Sequence, residues 1–576
     1  MTFRDILLPD RFLQKNSVDE DFCKYMKSQK RIYKESIQHN MSEKTAQNQK
    51  TTFIKALQSA DNFFANRLQA CFCFFTPGRI LLFAGLFFLI HAYISLCLNQ
   101  QIYRDVAGVY AWYAKEFGNG IWWDIPLSKV PVLNVFLGGL MVRCGIEPYT
   151  SLIILSLFFM VLTMLPLFGL LKLFLPAQKA AWGCVLFMLA PKLLRFSGSG
   201  LLESTRDFFL VSALYLLFKS WNDQCKWYHW IFMGLSLGLL SLARGEGIAM
   251  AGVLAAGILF RSLKDWKSIR TFCKNILLPI IITGIFSIGV MLPVLVQNYK
   301  VTGFPVTDSR LIGVLRAVPG VSKIFELKEH HIKNDPRILP HTDEKATGKK
   351  MGNGTLERLR DFPGNVFRGA YEIYFVLAIL GMILLIREKK WRKEYSFLAG
   401  YCLLVACSFI NFSVAHRYFI FFVPLLMVFT LYALNDLFNM AEKYHVKNIL
   451  IVLFAVVFLL QPLNAWSWMI GQSSNEELAL REFIERNRHR FLPEGGSGKL
   501  IIHGDSRYLF RCGEDRLFHY GEKIPKIRYI TGFDLLFIRK KDQQDLAVCL
   551  ERKDLRQIET SFRNFVIFAP IERLKK

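Results

Sequence analysis

Apolar runs of about 17–20 residues, long enough to cross a bilayer as a helix, recur along this chain and alternate with polar, often charged stretches. About eleven can be placed, near residues 80–98, 150–171, 179–194, 207–221, 228–243, 247–261, 275–297, 369–386, 395–411, 417–435 and 447–466. The third and fourth are short and interrupted by charge. The pattern predicts a polytopic α-helical membrane protein. Three parts follow from it: a cytoplasmic extension over 1–77, a membrane domain over 78–470 and an outer domain over 471–576. In the extension, Phe53, Leu57, Ala60, Phe64 and Leu68 recur at helical spacing. That single apolar stripe suits an interfacial helix lying on the inner leaflet.

Basic residues set the orientation. Arg261, Lys264, Lys267, Arg270 and Lys274 crowd one connection, and Arg387, Lys389, Lys390, Arg392 and Lys393 crowd another. With eleven spans both fall on the side of the basic N-terminal segment, which is therefore expected to be cytoplasmic, with the C-terminal part outside. The segment before the first run is polar and that run is full length, so no cleavable signal peptide is expected.

Two outer loops are long. The first, 99–149, contains Trp122-Trp123-Asp124-Ile125-Pro126 and an amphipathic stretch from Val132 to Val142. Aromatic residues at this density suit the headgroup layer. The second, 298–368, holds Pro305, Pro319, Pro336, Pro340 and Pro363 among many charges, so no span runs through it. Beyond 471 a helix is expected over Asn475–Arg490, strands over Lys499–His503, Asp534–Arg539 and Phe565–Ala569, and a helix over Leu550–Phe562. These elements make a small extracytoplasmic α/β domain.

Composition agrees: 52% of the 576 residues are hydrophobic and 51 are Phe. The formal net charge of +26 matches basic cytoplasmic loops facing anionic headgroups, and no nucleic-acid partner is expected. The 12 Cys show no paired C-x-x-C spacing of a metal site. Cys512 and Cys549 share the outer domain, where a disulfide and two free thiols both fit. His330, His331 and His341 sit in a mixed-charge loop and read as solvated.

Several charges stand on the side where basic residues are least expected. Lys192, Arg195 and Arg206 flank the third and fourth runs, Arg244 occupies the turn Arg244-Gly245-Glu246-Gly247, and His416-Arg417-Tyr418 opens the tenth. Each Arg alone can snorkel to the interface; together they can surround an anionic group, and the guanidinium fork matches phosphate. Glu203 and Asp207, four apart, share one helix face, either as a pair favoured by the helix N-terminus or as working carboxylates. Asp105 lies just past the first run, in Tyr103-Arg104-Asp105-Val106, where a carboxylate is either an ordinary loop charge or the chemical centre.

These elements, in this order, resemble the GT-C superfamily of membrane glycosyltransferases, and within it the branch of protein O-mannosyltransferases and the bacterial aminoarabinose transferase. Tyr103-Arg104-Asp105 with Tyr110-Ala111 is similar to the acidic element after span one. Leu202-Glu203-Ser204 resembles the acid before span four, Leu242-Ala243-Arg244-Gly245-Glu246-Gly247 the Arg-containing hairpin, and His416-Arg417-Tyr418-Phe419 with Pro424 the late Arg-Tyr element. Val106 follows Asp105 where the family often has a second acid.

The resemblance implies a polyprenyl-phosphate sugar donor, an acceptor hydroxyl on a glycan, lipid or protein, and inverting transfer at the extracytoplasmic face of the inner (cytoplasmic) membrane. Asp105 would be the base. Arg244, Arg417 and His416, supported by Arg195 and Arg206, would meet the lipid phosphate. Glu203 would orient the acceptor or hold a divalent cation. Asp207, Tyr103, Tyr110 and Tyr418 are the remaining candidates for substrate contact. A transporter, flippase or polymerase of lipid-linked saccharides is the alternative.

Overall fold

The computed structural model describes residues 76–99, 110–120, 132–221, 226–262, 277–302, 305–307, 351–408 and 416–470, five strands and a helix between 500 and 570, most of 52–63, and Tyr103 and Val106. Asp105, Arg104, Trp122, Trp123, the three loop histidines, Cys512 and the expected helix over 475–490 lie outside the described residues.

Among the described residues the apolar runs fall on helices. The chain forms α1 (Pro77–Tyr93), whose last turn widens into a π-helix over Ile94–Leu98, then α2 (Ala111–Gly118), α3 (Val132–Arg143), α4 (Pro148–Lys172), α5 (Ala177–Leu189) and α6 (Pro191–Ser197). It continues with α7 (Glu203–Trp221), α8 (Trp227–Ala243), α9 (Gly247–Ser262), α10 (Leu278–Thr302), α11 (Met351–Gly369), α12 (Glu372–Arg387) and α13 (Lys393–Ser408). A 3-10 turn over His416–Phe421 leads into α14 (Phe422–Lys443), followed by α15 (Lys447–Ile470). Local chemistry sets several starts. Thr76 and Glu147 cap α1 and α4 with Pro next in each, and the Glu147 carboxylate accepts from the backbone N–H groups of Tyr149 at 3.0 Å and Thr150 at 2.6 Å.

This is a multi-pass membrane protein. Among the described residues five helices are long and apolar enough to cross a membrane: Pro77–Leu98, Pro148–Lys172, Leu278–Lys300, His416–Lys443 and Lys447–Ile470. The number rises to seven if each of two bent pairs is one span. One pair, α5 and α6, bends by 59° at Ala190; the other, the end of α11 with α12, bends by 95°. Tyr371, at that second bend, has φ 65° and ψ 117°, a conformation that costs a bulky L-residue about 1–3 kcal/mol and needs support from its surroundings.

Close packing depends on small residues. Gly234 and Gly238, one turn apart on α8, face the backbone of α10, where an added Cβ would meet the Thr283 carbonyl oxygen at 2.5 Å and that of Ser287 at 2.7 Å. Lipid supplies no hydrophobic drive for helix association, so such backbone approach holds the pair together. Gly238→Val is expected to push α10 off α8 and lower the thermal unfolding temperature of the purified protein, whereas Gly252→Ala, at a site with open space around it, should leave that temperature unchanged.

The C-terminal strands β1 (Leu500–His503), β2 (Leu517–Tyr520), β3 (Leu535–Arg539), β4 (Leu555–Glu559) and β5 (Phe565–Pro570) form one mixed sheet in the order β2-β1-β3-β5-β4. β1 pairs in parallel with β2 and β3, and β5 pairs antiparallel with β3 and β4. Helix α16 spans Gln543–Glu551. The expected helix over Leu550–Phe562 is thus corrected: it ends at Glu551, and Leu555–Glu559 is a strand. Pairing with the apolar β5 outweighs the local helix preference of that segment.

The chain divides into two compact units, one of residues 1–72 with 438–453 and one of 73–437 with 454–576. In the first, the Asp61 carboxylate accepts from the backbone N–H of Asn448 at 2.8 Å and of Ile449 at 3.4 Å, capping α15, and from Asn448 Nδ2 at 3.1 Å. The candidate site belongs to the second.

Candidate active site

The turn into α7 is built on Ser197-Gly198-Ser199-Gly200. Gly200 has φ +72°, open to glycine at little cost, and a Cβ there would lie 3.3 Å from Val106 and 3.2 Å from the backbone of Ile153. The fully buried Val106, next to Asp105 in the chain, is therefore tied to the turn that launches Glu203. Ser156 supports the same turn by donating to the Leu201 carbonyl at 2.6 Å. His91 supports it from α1. Trp466 Nε1–H donates to His91 Nδ1 at 3.3 Å, so the opposite nitrogen carries the proton and donates to Ser197 Oγ at 3.0 Å.

From this turn α7 carries Glu203, Arg206 and Asp207, all buried, into contact with Arg244 and Glu246 from the α8–α9 turn. Arg244 binds Glu203 through Nη1 and Glu246 through Nε. Arg206 donates through Nε to Asp207 Oδ1 at 2.9 Å and through Nη1 to the Tyr418 carbonyl at 3.2 Å, and it lies 3.9 Å from Glu246. Among the described residues three carboxylates thus face two guanidinium groups. Burial works against the charge on Arg244, but the carboxylates of Glu246 and Glu203 outweigh it and hold this group more firmly protonated than an ordinary arginine. Glu203 Oε2 and Asp207 Oδ2 are buried with no hydrogen-bond partner among the described residues. So is Asn134 Oδ1, whose amide donates to Thr205 at 2.8 Å. Buried acceptors of this kind require an explanation, and substrate hydroxyls are donors of the right type.

Beside this acid cage lies a more open rim of cations. Lys192, Arg195, Arg368 and Arg417 are all close enough to His416 to act on it electrostatically. Arg195 stacks on Trp468 with its guanidinium carbon 3.5 Å from the ring centre. Tyr418 joins cage to rim: Arg244 lies 4.9 Å and Arg417 5.3 Å from its ring centre. Two tyrosines between α1 and α2 reach both. Tyr103 lies under Arg417 at 6.0 Å and acts on Arg195, while Tyr110 acts on Arg244.

The structure therefore brings together Glu203, Asp207, Arg206 and Arg244 with Tyr110 and Tyr418, and separately Arg195, His416 and Arg417 with Tyr103. Arg206 and Arg244 are engaged by carboxylates; Arg195, His416 and Arg417 border the open rim. Glu246, Asn134, Arg368 and Trp468 were not singled out from the sequence. Arg368, a cation just before the eighth run, carried the same legible signal as its neighbours. Nothing local distinguished Asn134 or Trp468. Among the described residues no group of three His, Cys, Asp or Glu could hold a metal ion.

These helices share their fold with solved structures of low sequence identity. The chain is similar to ArnT from Cupriavidus metallidurans bound to undecaprenyl phosphate, at 13% identity and a TM-score of 0.55, covering 86% of this chain and 98% of that one. The apo state of the same protein gives a TM-score of 0.56 over 85% and 98%. The Archaeoglobus fulgidus oligosaccharyltransferase crystallised with Zn and sulfate gives 18% identity and a TM-score of 0.48 over 75% of this chain, which spans only 62% of its length. No family model matches the sequence, and no curated protein matches it.

Proposed function

We propose that this chain is a membrane glycosyltransferase that moves a sugar from a polyprenyl-phosphate donor to an acceptor hydroxyl, with inversion, at the extracytoplasmic face of the cytoplasmic membrane. In this reading eleven spans place the N-terminus inside and the site outside. The observation that carries it is the buried carboxylate cage set beside a cation-rich rim at one end of a GT-C helix bundle.

Asp105 accepts the acceptor's proton as the hydroxyl oxygen attacks the anomeric carbon. Support comes from the chain on either side of it: Tyr103 stands at the rim, Tyr110 near Arg244, and Val106 against Gly200. Glu203 and Asp207 offer unpartnered oxygens to sugar or acceptor hydroxyls. As the bond to phosphate breaks, negative charge grows on the leaving group and needs preorganised donors. Arg195, Arg417 and His416, with Lys192 and Arg368, are assigned to it. Arg244, sharing the Tyr418 ring with Arg417, links the two halves, and Arg206 holds the cage to the Tyr418 backbone.

The test is release of free polyprenyl phosphate from a panel of polyprenyl-phosphate sugars by the purified protein, with candidate acceptors. Release establishes transfer and identifies the sugar. A transporter or flippase would move the donor intact and release none, and that outcome would overturn the reading.

A further inference from the structure

Transfer changes the charge of the lipid. The acceptor O–H bond and the bond from the anomeric carbon to the phosphate oxygen break while the new glycosidic bond forms. The proton goes to Asp105 and the bonding pair stays on phosphate. A monoanionic phosphodiester enters and a phosphate monoester leaves, dianionic above its second pKa of about 6. A purely cationic rim therefore grips the spent lipid harder than the donor, which opposes turnover.

Among the described residues one carboxylate stands on that rim. Glu372 Oε1 lies 3.8 Å from Lys192 Nζ, a long pair between side chains 43% and 22% exposed. Of the charged groups acting on Lys192, Glu372 is the anion, whereas Arg368 and Arg195 repel it. The backbone leading to Glu372 is specifically held. Gly369 packs without a side chain against the His416 carbonyl and Phe419, Tyr371 takes its positive φ, and Lys192 lies 5.8 Å from the Tyr371 ring centre. An acid at the first position of α12 suits the helix N-terminus, but that alone does not account for the unfavourable backbone one residue earlier, in a residue that itself borders Lys192.

We propose that Glu372 is a product-release residue: a carboxylate fixed on the phosphate rim that penalises the dianionic lipid phosphate about twice as much as the monoanionic donor. It weakens binding of both, and that of the product more, so the rim discriminates by charge between what must stay and what must leave. The inference rests on the lipid-phosphate reading above.

Equilibrium binding to the full-length protein in phosphatidylcholine nanodiscs near pH 8 tests it, with undecaprenyl phosphate as the dianion and its methyl phosphodiester as the monoanion. Glu372→Gln is expected to tighten the diester about threefold and the phosphate about tenfold, with both gains shrinking at high salt. Lys192→Gln is expected to weaken both, the phosphate more. Equal tightening of the two lipids by Glu372→Gln, or none, overturns the proposal, as does a Lys192→Gln protein that binds both like wild type. Wild type binding neither lipid overturns the lipid-phosphate reading itself, and this inference with it.

Discussion

Asp105→Asn is expected to lower the rate of sugar transfer by about 10²–10⁴-fold, the usual contribution of a general base, with the protein still folded and still binding polyprenyl phosphate. The amide keeps the shape of the carboxylate but cannot take the acceptor's proton, so the loss should fall on the chemical step and not on donor affinity. Single-turnover release of polyprenyl phosphate, measured at saturating donor beside a binding assay, separates the two. A variant that keeps more than about a tenth of the wild-type rate would remove Asp105 from the role of base. The unpartnered oxygens of Glu203 and Asp207 would then be the next carboxylates to test.

Arg244→Met is expected to cost about 3–5 kcal/mol of stability, the range seen when one partner of a buried ion pair is removed. Two carboxylates, Glu203 and Glu246, lose their contact with this guanidinium at once. Adding Glu203→Gln to Arg244→Met should recover part of the loss, because it removes one of the stranded charges. Arg244 is held above the ordinary arginine value. Its stabilising contribution is therefore complete at any pH below that ordinary value and is lost only as pH rises through the still higher folded value. Thermal unfolding in detergent at about pH 6 and about pH 8 should accordingly give the same penalty on the arginine side. A penalty that vanishes at the higher pH would mean Arg244 is not the charged partner described here.

Much of this was legible in the one-dimensional pattern. The apolar runs coincide with helices because burial in lipid requires each segment to satisfy its own backbone hydrogen bonds. Glu203 and Asp207 were readable as neighbours from helical spacing alone. Arg195, Arg417 and His416 were readable as a group because each is a basic residue at the edge of an apolar run. The division of labour among the arginines was not legible. Arg206, Arg244 and Arg195 have the same side chain and each borders an apolar run, yet two are locked to carboxylates and the third stacks on Trp468. The segment Leu555–Glu559 was misread for a related reason: its conformation is decided by a partner strand and not by its own residues.

The sequence by itself therefore determined the membrane class and the helices, since hydrophobicity and helical period act along the chain. Only the tertiary structure decided the pairs: Arg244 with Glu203 across 41 residues, Arg206 with the Tyr418 carbonyl across 212, and Lys192 with Glu372 over the bend at Tyr371. Electrostatic partnership depends on distance in space and on burial, and neither is written in the spacing of residues along the chain.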